Sequence, residues 1–306
     1  MSSVQVPPIK CQGIKTKLVP FIRAHIQWSN EGKWIEPFLG SGVVGFNINP
    51  KRALFADANP HIIHFYQGIN EGQITPAVVK RYLVGEGEKL SRRGADYYYE
   101  VRERFNQYHE PLDFLFLNRA GFNGMIRFNT QGELNVPFNH KPERFSKSYI
   151  TKIVNQVRAV YQRCRLNDWQ FICQDFRETI AVARQKDFIY CDPPYAGRHV
   201  DYFDRWGDEE ETALFEQLSK TPARFMLSTW HSNQHRHNPY LDRFWSRFFI
   251  ASKEHFYHVG AKEVNRKPML EAIVMNYQPE VSAPPPLYYQ PGLLDKKVIY
   301  PIETEV

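Results

Sequence analysis

A chain of 306 residues with 42% hydrophobic content has enough apolar material for one large core or two modest ones, which excludes a disordered chain or a fibre. It has no long apolar run, residues Met1 to Lys10 lack the basic-then-apolar order of a secretion signal, and Cys11, Cys164, Cys173 and Cys191 form no C-x-x-C pair. A membrane-spanning helix, a disulfide scaffold and a zinc ribbon are therefore excluded, and a soluble intracellular protein is expected. The 39 basic and 33 acidic residues leave a net charge of +6, which suits an anionic partner, and aromatic residues interleaved with Arg and Asn in mid-chain suit base stacking.

Leu18 to Ile26 has the apolar spacing of a helix. Trp34 to Phe38 predicts a short strand that breaks into Gly40, Ser41 and Gly42 before Val43 to Ile48 resumes a helical pattern. Arg52 to Ala56 predicts a second strand ending at Asp57, and Asn59 and Pro60 open another helix. Asp57 stands near the spacing from the glycine turn expected of a carboxylate that binds ribose at the end of a second strand. From Phe65 to Leu166 the chain turns to polar helices, Thr75 to Leu90, Ala95 to Gln107 and Ser148 to Arg163. Within this stretch, Arg127 to Phe138 predicts a hairpin turning at Thr130, Gln131 and Gly132. Residues 65–166 are thus expected to be an inserted domain, interrupting a catalytic domain made of 1–64 and 167–278. The parallel-sheet pattern returns with strands Trp169 to Cys173, Phe188 to Cys191, Phe225 to Ser228 and Glu271 to Tyr277, and a helix Asp208 to Leu218; residues 279–306 read as a proline-rich extended tail.

Two motifs carry chemistry. Glu36 to Gly42 (EPFLGSG) lets backbone approach a ligand at a strand end; it lacks the third glycine of the dinucleotide fingerprint and no G-K-[ST] follows, so an adenosine ligand without phosphates fits better than a pyrophosphate. Asp192, Pro193, Pro194 and Tyr195 follow the apolar strand Phe188 to Cys191. The two prolines stiffen the loop and remove amide donors, so a carboxylate, a free carbonyl and a ring converge at a strand end. That trio suits the exocyclic amine of adenine, whose lone pair is delocalised into the ring. Acceptance of its two hydrogens by the Asp192 carboxylate and the Pro193 carbonyl draws the nitrogen towards tetrahedral geometry, while Tyr195 stacks on the base. The matching electrophile is the sulfonium methyl of S-adenosylmethionine, and a base in a duplex must be rotated out of the stack to reach it. The plainer alternatives are an ordinary turn at Gly40 to Gly42 and a Pro-Pro strand terminator. His231, His235 and His237 have no carboxylate or cysteine at ligand spacing and read as surface loop histidines, so no metal is expected.

These motifs, in this order, resemble the Dam-like DNA adenine methyltransferases of the D12 class, alpha group, whose target-recognition insert lies between the glycine motif and DPPY. The matching pieces are PPIKCQGIK (Pro7 to Lys15), EPFLGSG, ADANP around Asp57, NRAGFNGMIRFNTQGELNVPFN (Asn118 to Asn139), CDPPY and EAIVMNY, spanning roughly residues 7 to 278. The resemblance implies an α/β fold: a Rossmann-like S-adenosylmethionine-dependent methyltransferase sheet with an inserted, mainly helical DNA-recognition domain carrying a β-hairpin. It implies methylation of the 6-amino group of adenine in a specific duplex DNA sequence with base flipping, double-stranded DNA as partner, and neither membrane nor metal. It is compatible with a cognate restriction endonuclease and with a cytoplasmic location, nucleoid-associated or phage-encoded. Carried over by residue, Cys11, Lys15, Glu36, Phe38, Gly40, Gly42, Asp57, Asp175, Phe176 and Asp192 border the cofactor, and Asp192, Pro193 and Tyr195 are catalytic. Lys10, Arg119, Phe122, Asn123, Met125, Arg127 and Pro137 meet DNA, with Phe122 and Asn123 where the target base leaves the helix, and the hairpin leans towards a GAT-containing site. The family usually reads K-W-A-G-G-K where this chain has Lys10, Cys11, Gln12, Gly13, Ile14 and Lys15. That departure leaves open a DNA-binding protein without catalysis; adenine in RNA and a protein amide are the other open acceptors.

Overall fold

Two glycines shape the path from the first strand into the fold. In the computed structural model, which describes residues 3–195, 206–232, 236–256, 268–280 and 288–289, Gly40 and Gly42 have φ of 50° and 74°, left-handed values that favour glycine. A Cβ at Gly42 would also lie 2.3 Å from the ring of Phe46. The chain forms two compact units: residues 3–19 and 39–175 make the first, and the other described residues the second.

In the first unit, β2 (Arg52–Asp57) runs parallel to β3 (Asp168–Cys173), with Asp57 opposite Cys173. Phe46 on α2 (Val43–Ile48) packs its ring against Phe55, Tyr66 and Trp169 at centroid separations of 5.4, 5.1 and 5.4 Å, which fixes the helix over the strand pair. The remainder is helical: α3 (Pro60–Glu71), α4 (Pro76–Arg93), α5 (Ala95–Tyr108), α6 (Pro111–Ala120) and α7 (Lys147–Leu166). Asn59 and Thr75 cap α3 and α4 through their side-chain oxygens, and a proline that needs no amide donor follows each. The residues expected to form an insert, 65–166, lie wholly inside this unit, together with the glycine turn, β2 and β3.

Helix α6 had no counterpart in the sequence reading. Asp113 to Ala120 are all buried, so no polar face marks a helical period. Its Asp113 is neutralised by Arg104, whose Nη2 also donates to Glu86 at 3.0 Å. Residues 127–138 do fold back on themselves, but through isolated bridges, Phe128 with Leu134 and Gly121 with Phe138, and not through the two paired strands the sequence suggested. The Asn129 side chain accepts the amides of Gln131 and Glu133 and tightens the turn, beside backbone bonds from the Asn129 amide to the Glu133 carbonyl at 2.9 Å and from the Asn135 amide to the Arg127 carbonyl at 3.0 Å.

In the second unit, β1 (Trp34–Glu36), β4 (Phe188–Cys191) and β5 (Arg224–Ser232) are parallel neighbours, with Ile35 opposite Ile189 and Ile189 opposite Phe225. Antiparallel β7 (Pro268–Met275) and β6 (Phe249–Phe256) follow. Every residue of β1 and β4 is buried, as in a parallel sheet covered on both faces. The helices are α1 (Val19–His25, from Pro20 on), α8 (Phe176–Ala181) and α9 (Asp208–Lys220), the last opening on four acidic residues and closing on Lys220, as the helix dipole favours. Strand β6 and helix α8 were also absent from the sequence reading. Of the expected tail, 281–306 lies outside the described residues except β8 (Tyr288–Tyr289), which pairs with β6. Strands joined by helices in parallel order, ending on an antiparallel pair, make this a mixed α/β fold of the Rossmann-like methyltransferase kind.

His231 belongs to the end of β5 and not to a loop, His237 pairs with Asp242 at 3.1 Å, and His235 lies outside the described residues. Among the described residues there is no cluster of three or more His, Cys, Asp or Glu placed to hold a metal, and no helix is long and apolar enough to cross a membrane.

Candidate functional site

In the first unit the glycine turn folds back onto the end of β2. The Leu39 amide donates to the Ala56 carbonyl at 2.9 Å, the Gly40 amide to Asp57 Oδ2 at 2.8 Å, and the Asn59 amide to Asp57 Oδ1 at 2.8 Å. Tyr66 steadies the turn from α3, its hydroxyl donating to the Ser41 carbonyl at 2.7 Å. Asp57 sits deep among protein atoms with one edge still open, and this desolvation pushes its carboxyl up to about 6 against the opposing pull of the two amides. Each carboxylate oxygen keeps acceptor capacity beyond its amide, so the residue suits a ligand with hydroxyl donors. The nearest atom to a Cβ placed on Gly40 would be Cys11 Sγ, at 3.9 Å, so the thiol that replaces the family's aromatic lies against the turn. Lys15 is buried, with Nζ donating to the Gly13 carbonyl at 3.3 Å. The structure thus brings Cys11, Gly40, Gly42 and Asp57 together in one place, while Asp175, just beyond β3, is exposed.

In the second unit, the parallel pairing of β1 and β4 puts their carboxyl ends side by side, and Glu36 ends one as Asp192 follows the other. Glu36 is buried and accepts from Trp34 Nε1 at 2.9 Å. Burial pushes the Cys191 thiol and the Tyr190 hydroxyl well up, and the carboxylates of Glu36 and Asp192 beside them add to it. Pro193 is buried and Asp192 half-buried. The Tyr195 hydroxyl donates to Oε2 of Glu271 at 2.6 Å, and Glu271 is buried on β7. Phe38, Phe176 and Trp206 form a triangle of rings 5.3–5.4 Å apart. Trp206 donates in turn to Glu211 at 3.0 Å, whose carboxyl burial pushes up to about 7.

Sequence reasoning missed two of these residues. Glu271 stands inside the EAIVMNY piece, and the signal was a lone acid in an otherwise apolar strand; Trp206 lies in no motif and gave none.

The segment expected to meet DNA is organised within the first unit. Asn118 exchanges hydrogen bonds with the backbone of Lys10 in both directions, at 2.9 Å each, and also donates to the Gly124 carbonyl. A Cβ on Gly124 would strike the Lys10 side chain at 2.4 Å, so a glycine is needed there. Asn123 has φ of 52°, and the turn it makes leaves Phe122 48% exposed, a large apolar ring offered to solvent. Phe128, Leu134, Val136 and Phe138 face inward, while Arg127 and Pro137 are exposed; Arg127 is tied back to Asn135 through Nε at 2.7 Å. Met125 is half-buried.

Arg119 departs from expectation. It is 3% exposed and donates to the Pro8 carbonyl at 2.7 Å, the Pro7 carbonyl at 3.4 Å and Gln156 Oε1 at 2.6 Å, so it anchors the N-terminal segment and presents nothing to a phosphate. Its removal strands three buried acceptors and opens a cavity, so Arg119→Ala is expected to cost about 2–5 kcal/mol of folding stability. A thermal melt checks this: loss of DNA affinity at unchanged stability would return Arg119 to the interface.

A profile of the family described as D12 class N6 adenine-specific DNA methyltransferase matches residues 12–259. The chain is similar to a DNA adenine methylase of Vibrio cholerae, 35% identical over 194 residues covering 61% of this chain and 64% of that protein. It is similar to one of Haemophilus influenzae, 34% identical over 53% of this chain and 54% of the relative, and to one of Salmonella typhi, 27% identical over 90% and 96%. The match thus spans less than two thirds of the length of the Vibrio and Haemophilus proteins. With the profile covering most of the chain, and its motifs standing at the strand ends just described, the protein belongs to the D12 class of N6 adenine-specific DNA methyltransferases.

Proposed function

We propose that this protein transfers a methyl group from S-adenosylmethionine to the 6-amino group of adenine in a specific duplex DNA sequence, after the base has been rotated out of the helix. The carrying observation is the rigid corner after β4, where Asp192, the Pro193 carbonyl and a tethered Tyr195 stand at the carboxyl end of a parallel sheet. When bound, S-adenosylmethionine supplies an electrophilic sulfonium methyl. Asp57 accepts its ribose hydroxyls, Gly40 and Gly42 admit it against bare backbone, and Cys11 and Lys15 border it. Asp192 and Pro193 each accept one hydrogen of the target amine, which localises the nitrogen lone pair, and Tyr195 stacks on the base. Phe122 and Asn123 act where the base leaves the stack, with Lys10, Met125, Arg127 and Pro137 against backbone and base edges. Incubation with methyl-labelled cofactor and duplexes of varied sequence tests the reading. Label recovered as N6-methyladenine is expected; none in any duplex overturns it.

Glu271 is the positioning residue for Tyr195. Tyr195→Phe and Glu271→Ala are each expected to lower the methylation rate about tenfold, and the double variant no further, a coupling of about 1–2 kcal/mol. Glu271→Gln, which keeps an acceptor, restores most of the rate. Additive losses in the cycle would detach Glu271 from the ring.

A further inference from the structure

Helix α7 carries Lys147, Lys152, Arg158, Arg163 and Arg165 and no acidic residue, five positive charges in a chain whose net charge is +6. Its apolar face, including Ile150, Ile153, Val157 and Val160, is buried, and Lys147, Lys152, Arg158 and Arg165 are exposed. At its N-terminal end lies a cavity of about 620 Å³ whose walls include Lys141, Arg144, Ser146, Ser148, Tyr149 and Lys152. Arg144 is held rigidly there: its guanidinium lies 4.3 Å over the Tyr149 ring, Nη2 donates to the Tyr149 hydroxyl at 2.8 Å, and Nε donates to the Arg119 carbonyl at 3.0 Å. Glu143, the one carboxylate on the wall, accepts from Ser91 at 3.0 Å, and among the described residues no carboxylate lies within ion-pair distance of Lys141, Lys147 or Lys152.

Three cations against a single carboxylate, set around a hollow at the positive end of a 20-residue helix, suit an anion with several oxygens. Its place in the chain says which anion. Lys141 comes four residues after Pro137, and the Asn139 amide donates to the Ala120 carbonyl at 3.2 Å, next to the carbonyl that Arg144 grips. The cavity is therefore joined to the exposed hairpin by a few residues of tightly bonded backbone.

We infer that this cavity and the first turns of α7 bind the sugar-phosphate backbone of duplex DNA beside the bases met by the hairpin, with Lys141, Arg144 and Lys152 each facing a phosphate. The inference rests on the DNA reading above and adds a non-base-reading contact to it.

Binding of the full chain to a duplex, followed by fluorescence anisotropy across a salt series, tests it. Lys141→Ala/Lys152→Ala is expected to flatten the slope of log affinity against log salt by about 2, since each phosphate contact contributes roughly 0.9. Lys186→Ala/Lys220→Ala removes equal charge from lysines already paired with Glu31 and Glu216, and is expected to leave the slope as it was. An unchanged slope in the first variant, or equal flattening in both, overturns the α7 site while leaving the DNA reading intact. No duplex binding by the unsubstituted protein, or an effect on single-stranded RNA alone, overturns both.

Discussion

Replacing Asp192 by alanine is expected to lower the single-turnover rate of adenine methylation by about 10²–10³-fold, the range seen when one preorganised hydrogen-bond partner of a developing charge is removed. The loss follows from the chemistry of the amine. Without an acceptor on one hydrogen, the nitrogen stays flat and conjugated, and its electrons remain spread over the ring. Asp192 is half-buried and lies just beyond the buried strand Phe188–Cys191, so a thermal melt of the variant is run beside the rate measurement. The dissociation constant for duplex DNA should stay within about threefold of the unsubstituted protein, which separates lost chemistry from lost DNA binding. Asp192→Asn keeps one acceptor oxygen and is expected to fall between the two. Rapid-quench measurement of methyl transfer decides the matter; an alanine variant that methylates at the original rate would remove the corner from the mechanism.

Asp57→Ala is expected to weaken S-adenosylmethionine binding by about 10²-fold, the loss of two hydroxyl contacts to a charged acceptor at about 1.5 kcal/mol each. The unsubstituted protein should also show a pH signature. Because Asp57 titrates near 6 in the folded chain, and hydroxyl donors favour its ionised form, cofactor affinity is expected to be flat above pH 7 and to fall as pH drops through about 6. Folding stability moves the other way. A carboxyl whose folded pKa lies above its unfolded value of 3.8 holds its proton more tightly when folded, so its contribution is fully present below about pH 4 and is lost as pH rises through 6. Calorimetric titration and thermal melts between pH 5 and 8 check both trends. An affinity that does not change across that range would place the ribose elsewhere.

What the sequence disclosed follows from where one-dimensional pattern and burial agree. The run from Trp34 through Gly42 to Ile48 was legible because apolar strand, glycine turn and helix each leave a different local mark, and Asp192 to Tyr195 because two prolines leave few conformations open. Helix α6 was hidden because it is buried on all sides and shows no polar face. The hairpin was recognised by its turn residues, but it is closed by isolated bridges and a few backbone bonds and not by two full strands. Arg119 misled because an arginine beside a segment expected to meet DNA looks solvated until the Pro7 and Pro8 carbonyls and the Gln156 side-chain oxygen around it are seen. Tyr195 and Glu271 are 76 positions apart and meet only because β7 returns beside β5.

Asn118 holds Lys10 from both sides, and the next residue, Cys11, rests its sulfur over Gly40. Under the proposed function, a pull on residues 118–124 by a bound duplex would reach the Gly40 turn of the proposed cofactor site along a single peptide link. The two substrates should accordingly favour each other's retention by one common factor, whichever arrives first.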